Sequence, residues 1–213
     1  HRSTVLHSWC ASSVDALGIC NSDSLLVIVP MFHANGWGTP YAAPMCGAKM
    51  VFPGPHLDGE SLVELIQDEE VTLSAAVPTV WLGILQYLKG TGKGLGILER
   101  VVIGGTAAPP IMIRTLQEDY GVRVCHAWGM TEMSPLGTTG VLKKESLSLP
   151  KNEQYKLQEK QGRGIYGVEM KIVDDKGMEL PRDGIAFGNL MVRGPWIANG
   201  YFKGEGGDVL DEE

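Results

Sequence analysis

Positive charge is scarce in this chain. Its 18 Lys and Arg side chains face 25 Asp and Glu, a formal net charge of -7, and Lys143-Lys144 is the one adjacent basic pair. A nucleic-acid binder replaces phosphate counterions with a basic patch, so this composition argues against such a partner. Cysteine is sparse too. Cys10, Cys20, Cys46 and Cys125 stand apart without metal-ligand spacing, and a chain of this size can bury a core without disulfide staples. Reduced thiols and a cytoplasmic location are the expectation. The longest apolar run, Leu25 to Phe32, is far short of the roughly 20 residues a membrane helix needs. No signal-peptide pattern opens the sequence, and repeats and low-complexity tracts are absent.

The 44% hydrophobic and 20% charged content is that of a folded domain. Val5, Leu6, Trp9, Cys10, Val14 and Leu17 recur at helical spacing, and Asp23 leads into the apolar run Leu25 to Pro30, which predicts a buried strand. The alternation then repeats. A helix is expected near 36–47, a strand at Lys49 to Phe52, and a helix at Ser61 to Glu69 with Leu62, Leu65 and Ile66 on one face. A strand follows at Val71 to Val77, and Pro78 opens a helix from its first turn. Further on, Arg100 to Ile103 predicts a strand, Pro109-Pro110 starts a helix reaching Tyr120, and Arg123 to Ala127 predicts another strand. Strands alternating with helices imply an α/β fold with a largely parallel, helix-covered sheet over residues 1–141.

Residues 142–161 are polar, rich in Lys and Glu and weakly periodic, which predicts a surface excursion. Beyond them, Val168 to Asp174 and Asn189 to Arg193 alternate around the turn residues Asp175-Lys176-Gly177, so residues 162–213 are expected to form a smaller antiparallel β subdomain.

The most informative segment runs from His126 through Trp128-Gly129-Met130-Thr131-Glu132 to Pro135. Trp128 offers a flat face for a purine, and Gly129 lets the backbone approach it. Thr131 can donate to a phosphate oxygen, and Glu132 can hold a divalent cation. Upstream, Gly104-Gly105-Thr106-Ala107 ends a strand at the edge where parallel sheets open their ligand crevices, although a plain tight turn explains the glycine pair equally well. Gly90-Thr91-Gly92-Lys93-Gly94 has phosphate-loop composition but lacks the Walker spacing and the hydroxyl after the lysine, so a flexible loop is expected. The acidic end, Asp208 to Glu213, reads as solvated.

The Trp128 to Glu132 segment resembles the Tyr-Gly-x-Thr-Glu motif of the adenylate-forming superfamily, which contains acyl-CoA synthetases, peptide-synthetase adenylation domains and firefly luciferase. Trp128 stands where Tyr is commoner, which preserves stacking and loses the phenolic hydroxyl. The likeness extends along nearly the whole chain. Val29 to Trp37 resembles the family's Pro-x-Phe-His segment, Val77-Pro78-Thr79 its Val-Pro-Thr turn, and Gly188 to Pro195 with Gly200-Tyr201 its Gly-Glu-Leu-x-Val-Arg-Gly-Pro and Gly-Tyr element, with Asn189 in place of Glu.

The resemblance implies a nucleotide site at Gly105, Thr106, Ala107, Trp128, Gly129, Met130 and Thr131. It implies an acyl pocket at His33, Trp37, Val77, Thr79 and Gly105, and catalytic roles for Thr131 and Glu132, with Glu132 on the metal. ATP, Mg²⁺ and coenzyme A are the implied cofactor and co-substrates. A medium- or long-chain fatty acid or related carboxylate is the partner, with a homodimer left open. His33 is not expected to act as a general base, because the attacking carboxylate is already ionised at neutral pH. The family's phosphate-gripping loop, ribose-binding aspartate and adenylation lysine have no counterpart here. That predicts an internal piece of a longer enzyme, inactive in isolation. Two alternatives stand beside this reading. A peptide-synthetase adenylation domain would carry a specificity aspartate, and none stands out in Val29 to Trp37. A non-catalytic α/β binding domain would use its glycines only as turns, and nucleotide titration separates it from the first.

Overall fold

The computed structural model describes residues 1–207, so the acidic end lies outside the described residues. The chain is α/β, with a seven-stranded sheet and a separate two-stranded one. Strands β1 (Ser24–Val27), β2 (Lys49–Val51), β3 (Leu73–Ala76), β4 (Arg100–Ile103) and β5 (Arg123–Gly129) lie in the order β2-β1-β3-β4-β5 and pair in parallel. Every residue of β1, β3 and β4 is buried, as strands covered on both faces require.

Alternation across the pleat divides the core in two. Leu26, Val101 and Ile103 face one cluster, where they meet Leu62, Val63 and Ile66 of α4 (Gly59–Asp68), Trp81, Ile84 and Leu88 of α5 (Pro78–Thr91), and Met112, Ile113 and Leu116 of α6 (Pro110–Glu118). Leu25, Val27, Val102 and Ala127 face the other, under α1 (Arg2–Ala11) and α3 (Thr39–Cys46). Each fully buried side chain of this kind contributes about 1.5–3 kcal/mol. Local signals fix the helix ends: the Asp58 carboxylate accepts from Ser61 N at 2.9 Å to cap α4, and Pro78 opens α5.

Three features depart from the pattern of the sequence. The first helix stops at Ala11 and continues as turns, so Val14 is exposed while Leu17 is buried. The parallel sheet is extended by the antiparallel strands β6 (Leu136–Thr139) and β7 (Arg163–Gly164), which a Gly- and Thr-rich sequence conceals. Residues 142–161 hold a helix, α7 (Lys151–Gln158), whose Tyr155 joins the first core. Reciprocal amide bonds between Gln117 and Gln158, at 3.2 and 2.9 Å, fasten it to α6. The small antiparallel sheet pairs β8 (Glu169–Val173) with β9 (Asn189–Arg193).

After β9 the chain returns to the main body. Trp196, only 4% exposed, enters the second core and donates from Nε1 to Leu136 O at 3.4 Å.

Candidate functional site

A cavity of about 230 Å³ opens at the carboxyl edge of the parallel strands, the edge at which such sheets present ligands. Three backbone segments build it: the turn after β1, the loop after β4, and the end of β5 with the turn that follows.

The first segment is unusual in its hand. After His33 the residues Ala34 (φ 45°), Asn35 (53°), Gly36 (64°), Trp37 (55°) and Gly38 (74°) all have positive φ. They form one left-handed turn, α2 (Ala34–Trp37), ahead of α3. An L-residue in this conformation costs about 1–2 kcal/mol, least for Asn and nothing for Gly. Strain at this density collects where a side chain must be aimed, and the side chain here is Trp37. Its indole lies against the second segment: a Cβ built on Gly104 would come within 3.3 Å of Trp37 Cη2, and one on Gly105 within 3.6 Å of Cζ2.

Gly105 has φ of 81°, which a larger residue adopts only with strain, and its Cβ position is 3.0 Å from Val77 Cγ1. The loop is then tied down by an imidazole. Ala108 N donates to His126 Nε2 at 3.1 Å, and His126 Nδ1 donates to Gln158 O at 3.2 Å. His126 is 1% exposed. Burial pushes it below the ordinary imidazole value, against the bonds to the main chain at Gln158 and Glu159 that raise it, so it stays neutral.

The third segment turns sharply after Trp128. The β5 and β6 register shifts between Trp128 and Gly129, and Met130 N donates to Pro135 O at 3.0 Å. A Cβ at Gly129 would lie 2.0 Å from that same oxygen, so only glycine fits. Thr131–Met133 forms a single 3-10 turn. A second neutral imidazole supports the strand beyond it: Leu136 N donates to His7 Nε2 at 3.1 Å, and burial lowers the His7 pKa to about 4.

The structure brings His33, Trp37, Gly105, Trp128, Gly129, Met130 and Thr131 together around the cavity. Val77 stands behind Gly105. Thr106 and Ala107 are exposed on the loop beyond the lining, and Thr79 is exposed in the first turn of α5, outside the cavity wall. Glu132 sits one residue past Thr131, half-buried, and accepts a hydrogen bond at Oε1 from the Tyr201 hydroxyl. That bond, together with the glutamate's own N–H, holds its carboxyl below the usual range and keeps it ionised.

Among the described residues no three His, Cys, Asp or Glu side chains gather into a metal cage. A lone ionised carboxylate is a donor set that suits Mg²⁺, which retains waters and is carried on phosphates. Sequence reasoning assigned no role to His126 or Tyr201. The first had a signal: it alternates along β5 with the core residue Val124, where a polar side chain must find a buried partner. The second had only its place in the Gly200-Tyr201 match, with nothing local to point to a partner 69 residues away.

A larger cavity, about 580 Å³, lies near the amino ends of β4 and β5 against α7. It contains none of the motif residues and lies at the edge of the sheet away from the ligand crevice.

The family model described as AMP-binding enzyme matches residues 1–202. The chain belongs to the AMP-binding enzyme family. Within this family it is 51% identical over 212 residues to a 3-methylmercaptopropionyl-CoA ligase of Ruegeria lacuscaerulensis. It is 50% identical over 212 residues to a medium-chain-fatty-acid–CoA ligase of Ectopseudomonas oleovorans. Each match takes in 100% of the chain and 39% of the relative. The chain therefore spans about two fifths of the length of these curated relatives. Among solved structures, a long-chain-fatty-acid-CoA ligase from Archaeoglobus fulgidus superposes with a TM-score of 0.79 at 25% identity, covering 95% of this chain and 40% of that one.

Proposed function

We propose that this chain forms the nucleotide- and acyl-binding centre of an ATP-dependent acyl-CoA synthetase acting on a medium- or long-chain fatty acid or a related carboxylate. The observation that carries the reading is the single cavity in which the Trp128 to Thr131 turn, the Gly104-Gly105 loop and the Trp37 turn meet. In the reaction, a carboxylate oxygen attacks the α-phosphorus of ATP, the bond to the β-phosphate breaks, and pyrophosphate leaves. The thiol sulfur of coenzyme A then attacks the acyl carbonyl of the adenylate, gives up its proton, and AMP departs.

Each wall has its part. Trp128 supplies the stacking face for adenine, and the Gly104-Gly105 main chain, on the loop that His126 ties down, borders the base. Thr131 donates to phosphate. Glu132 would hold Mg²⁺, which neutralises phosphate charge as it builds. His33 and Trp37 shape the acyl side, with Val77 behind Gly105. No base is needed for the first step, because the acid arrives ionised.

The two most similar relatives named above differ in substrate, one a thioether acid and the other a medium-chain fatty acid. This supports an extended, mainly apolar carboxylate. At about 230 Å³ the cavity is below the roughly 300–1,000 Å³ usual for ligand pockets, with Trp37 forming one wall. The test is AMP and acyl-CoA formation by the full-length protein across a panel of straight-chain and thioether acids. AMP formation with none of them would refute the reading.

A further inference from the structure

The segment after β9 closes over the Glu132 turn. Ser134 Oγ donates to Trp196 O at 3.1 Å, and Ala198 N donates to Glu132 O at 2.8 Å. The Tyr201 hydroxyl then donates to Glu132 Oε1. Both the main chain and the carboxylate of Glu132 are thus gripped by one short strap. The strap is docked without the phenol, since Trp196 is buried and the two bonds at Ser134 and Ala198 hold the backbone. Tyr201 itself is 47% exposed and contributes little burial. Gly206 lies against its ring, where a Cβ would come within 2.0 Å of Cδ2. The specific contact of the Tyr201 hydroxyl is the carboxylate.

We propose that Tyr201 is a positioning residue: by occupying Oε1 it fixes the Glu132 side chain so that Oε2 meets a divalent cation carried on nucleotide phosphates. This rests on the nucleotide-binding role proposed above for the same turn. A glutamate on a surface turn has three rotatable bonds to freeze before it can ligate, and a partner on one oxygen removes that cost in advance. A carboxylate keeps lone pairs for a cation after accepting one such bond.

The experiment is Mn²⁺ titration of the full-length protein with a non-hydrolysable ATP analogue, followed by electron paramagnetic resonance, for wild type, Tyr201→Phe, Glu132→Gln and the double variant. Loss of one hydrogen bond to a charged group predicts that Tyr201→Phe weakens Mn²⁺ binding about tenfold. Glu132→Gln should weaken it further, and the double variant no further than Glu132→Gln alone. Ser134→Ala, which loosens the strap but spares the phenol, should leave the Mn²⁺ affinity at the wild-type value. Unchanged or tighter binding in Tyr201→Phe, with loss in Glu132→Gln, overturns the positioning role alone. So does an equal loss in Ser134→Ala, which would make the effect one of docking. Wild-type Mn²⁺ affinity in Glu132→Gln removes the metal reading of the turn, and the positioning role with it.

Discussion

Mild acid should loosen this fold through two imidazoles that serve as hydrogen-bond acceptors in the core. His7 is 1% exposed and accepts from Leu136 N, and its pKa falls from 6.5 to about 4 through burial. In the unfolded chain the same group takes its proton near 6.5. Between those values the unfolded state binds the extra proton, so stability is fully present above pH 6.5 and drains away as the pH falls toward 4. At about 1.4 kcal/mol per pH unit the cost approaches 3 kcal/mol, a large share of the ~5–15 kcal/mol typical of a domain. His126, shifted the same way by burial, adds to the loss in that direction. Asp23 acts lower on the scale. Burial pushes its carboxyl up, but the bonds from Arg100, Cys20 N and Thr72 outweigh this and hold it below 3.8, so its contribution fades only at still lower pH. Urea unfolding at pH 7.5, 6.5, 5.5 and 4.5 separates the two. His7→Gln, which keeps a possible acceptor but does not titrate, should be less stable at pH 7.5 and show a shallower decline. A wild-type midpoint that does not move between pH 7.5 and 4.5, or an equally steep decline in His7→Gln, would refute the assignment.

Three further outcomes follow from the same geometry. Glu132→Gln should lower ATP–pyrophosphate exchange by about a hundredfold while the melting temperature stays put, since the carboxylate contacts an exposed phenol and not the core; exchange at the wild-type rate in saturating Mg²⁺ would remove it from the site. Trp37→Ala should enlarge the cavity and move the chain-length profile of kcat/KM toward bulkier or longer acids, read from a panel of saturated fatty acids. An unchanged profile would put the acyl chain elsewhere. Asp23→Asn removes the carboxylate 2.6 Å from the buried Arg100 guanidinium and leaves it with the exposed Glu99, 3.6 Å away, as counter-charge, and should cost about 3 kcal/mol in denaturant unfolding without altering substrate preference.

The parts of the fold that the sequence displays are those whose stability is written locally. Leu25 to Val29 and Val101 to Ile103 are continuous apolar runs because both faces of their strands are covered. Ser61 to Glu69 is amphipathic because one side meets the sheet, and Asp58 marks its start. Where stability comes from distant partners, the pattern is silent. Leu136–Thr139 reads as loop because its strand identity comes from pairing with β5, and α7 reads as a polar surface segment because its attachment is a glutamine pair and one tyrosine. The site divides the same way. The Trp128 to Glu132 order is a local signature and His126 shows itself as a polar side chain at a core position of β5, whereas the partners of His7, His126 and Glu132 are visible only once segments far apart in the chain have met.

The left-handed turn at 34–38 also determines which changes this pocket can accept. Its backbone runs against the natural hand of L-residues, so β-branched or bulky replacements at Ala34, Gly36 or Gly38 add strain to that already present, and an insertion or deletion would redirect the indole entirely. Exchange of the Trp37 ring itself leaves the main chain where it is. Altered acid preference is therefore best sought by varying that ring together with Val77, whose φ of -75° any L-residue adopts, while holding the four neighbours constant. A library randomised across the whole turn would consist mostly of proteins that had lost the wall they were meant to reshape.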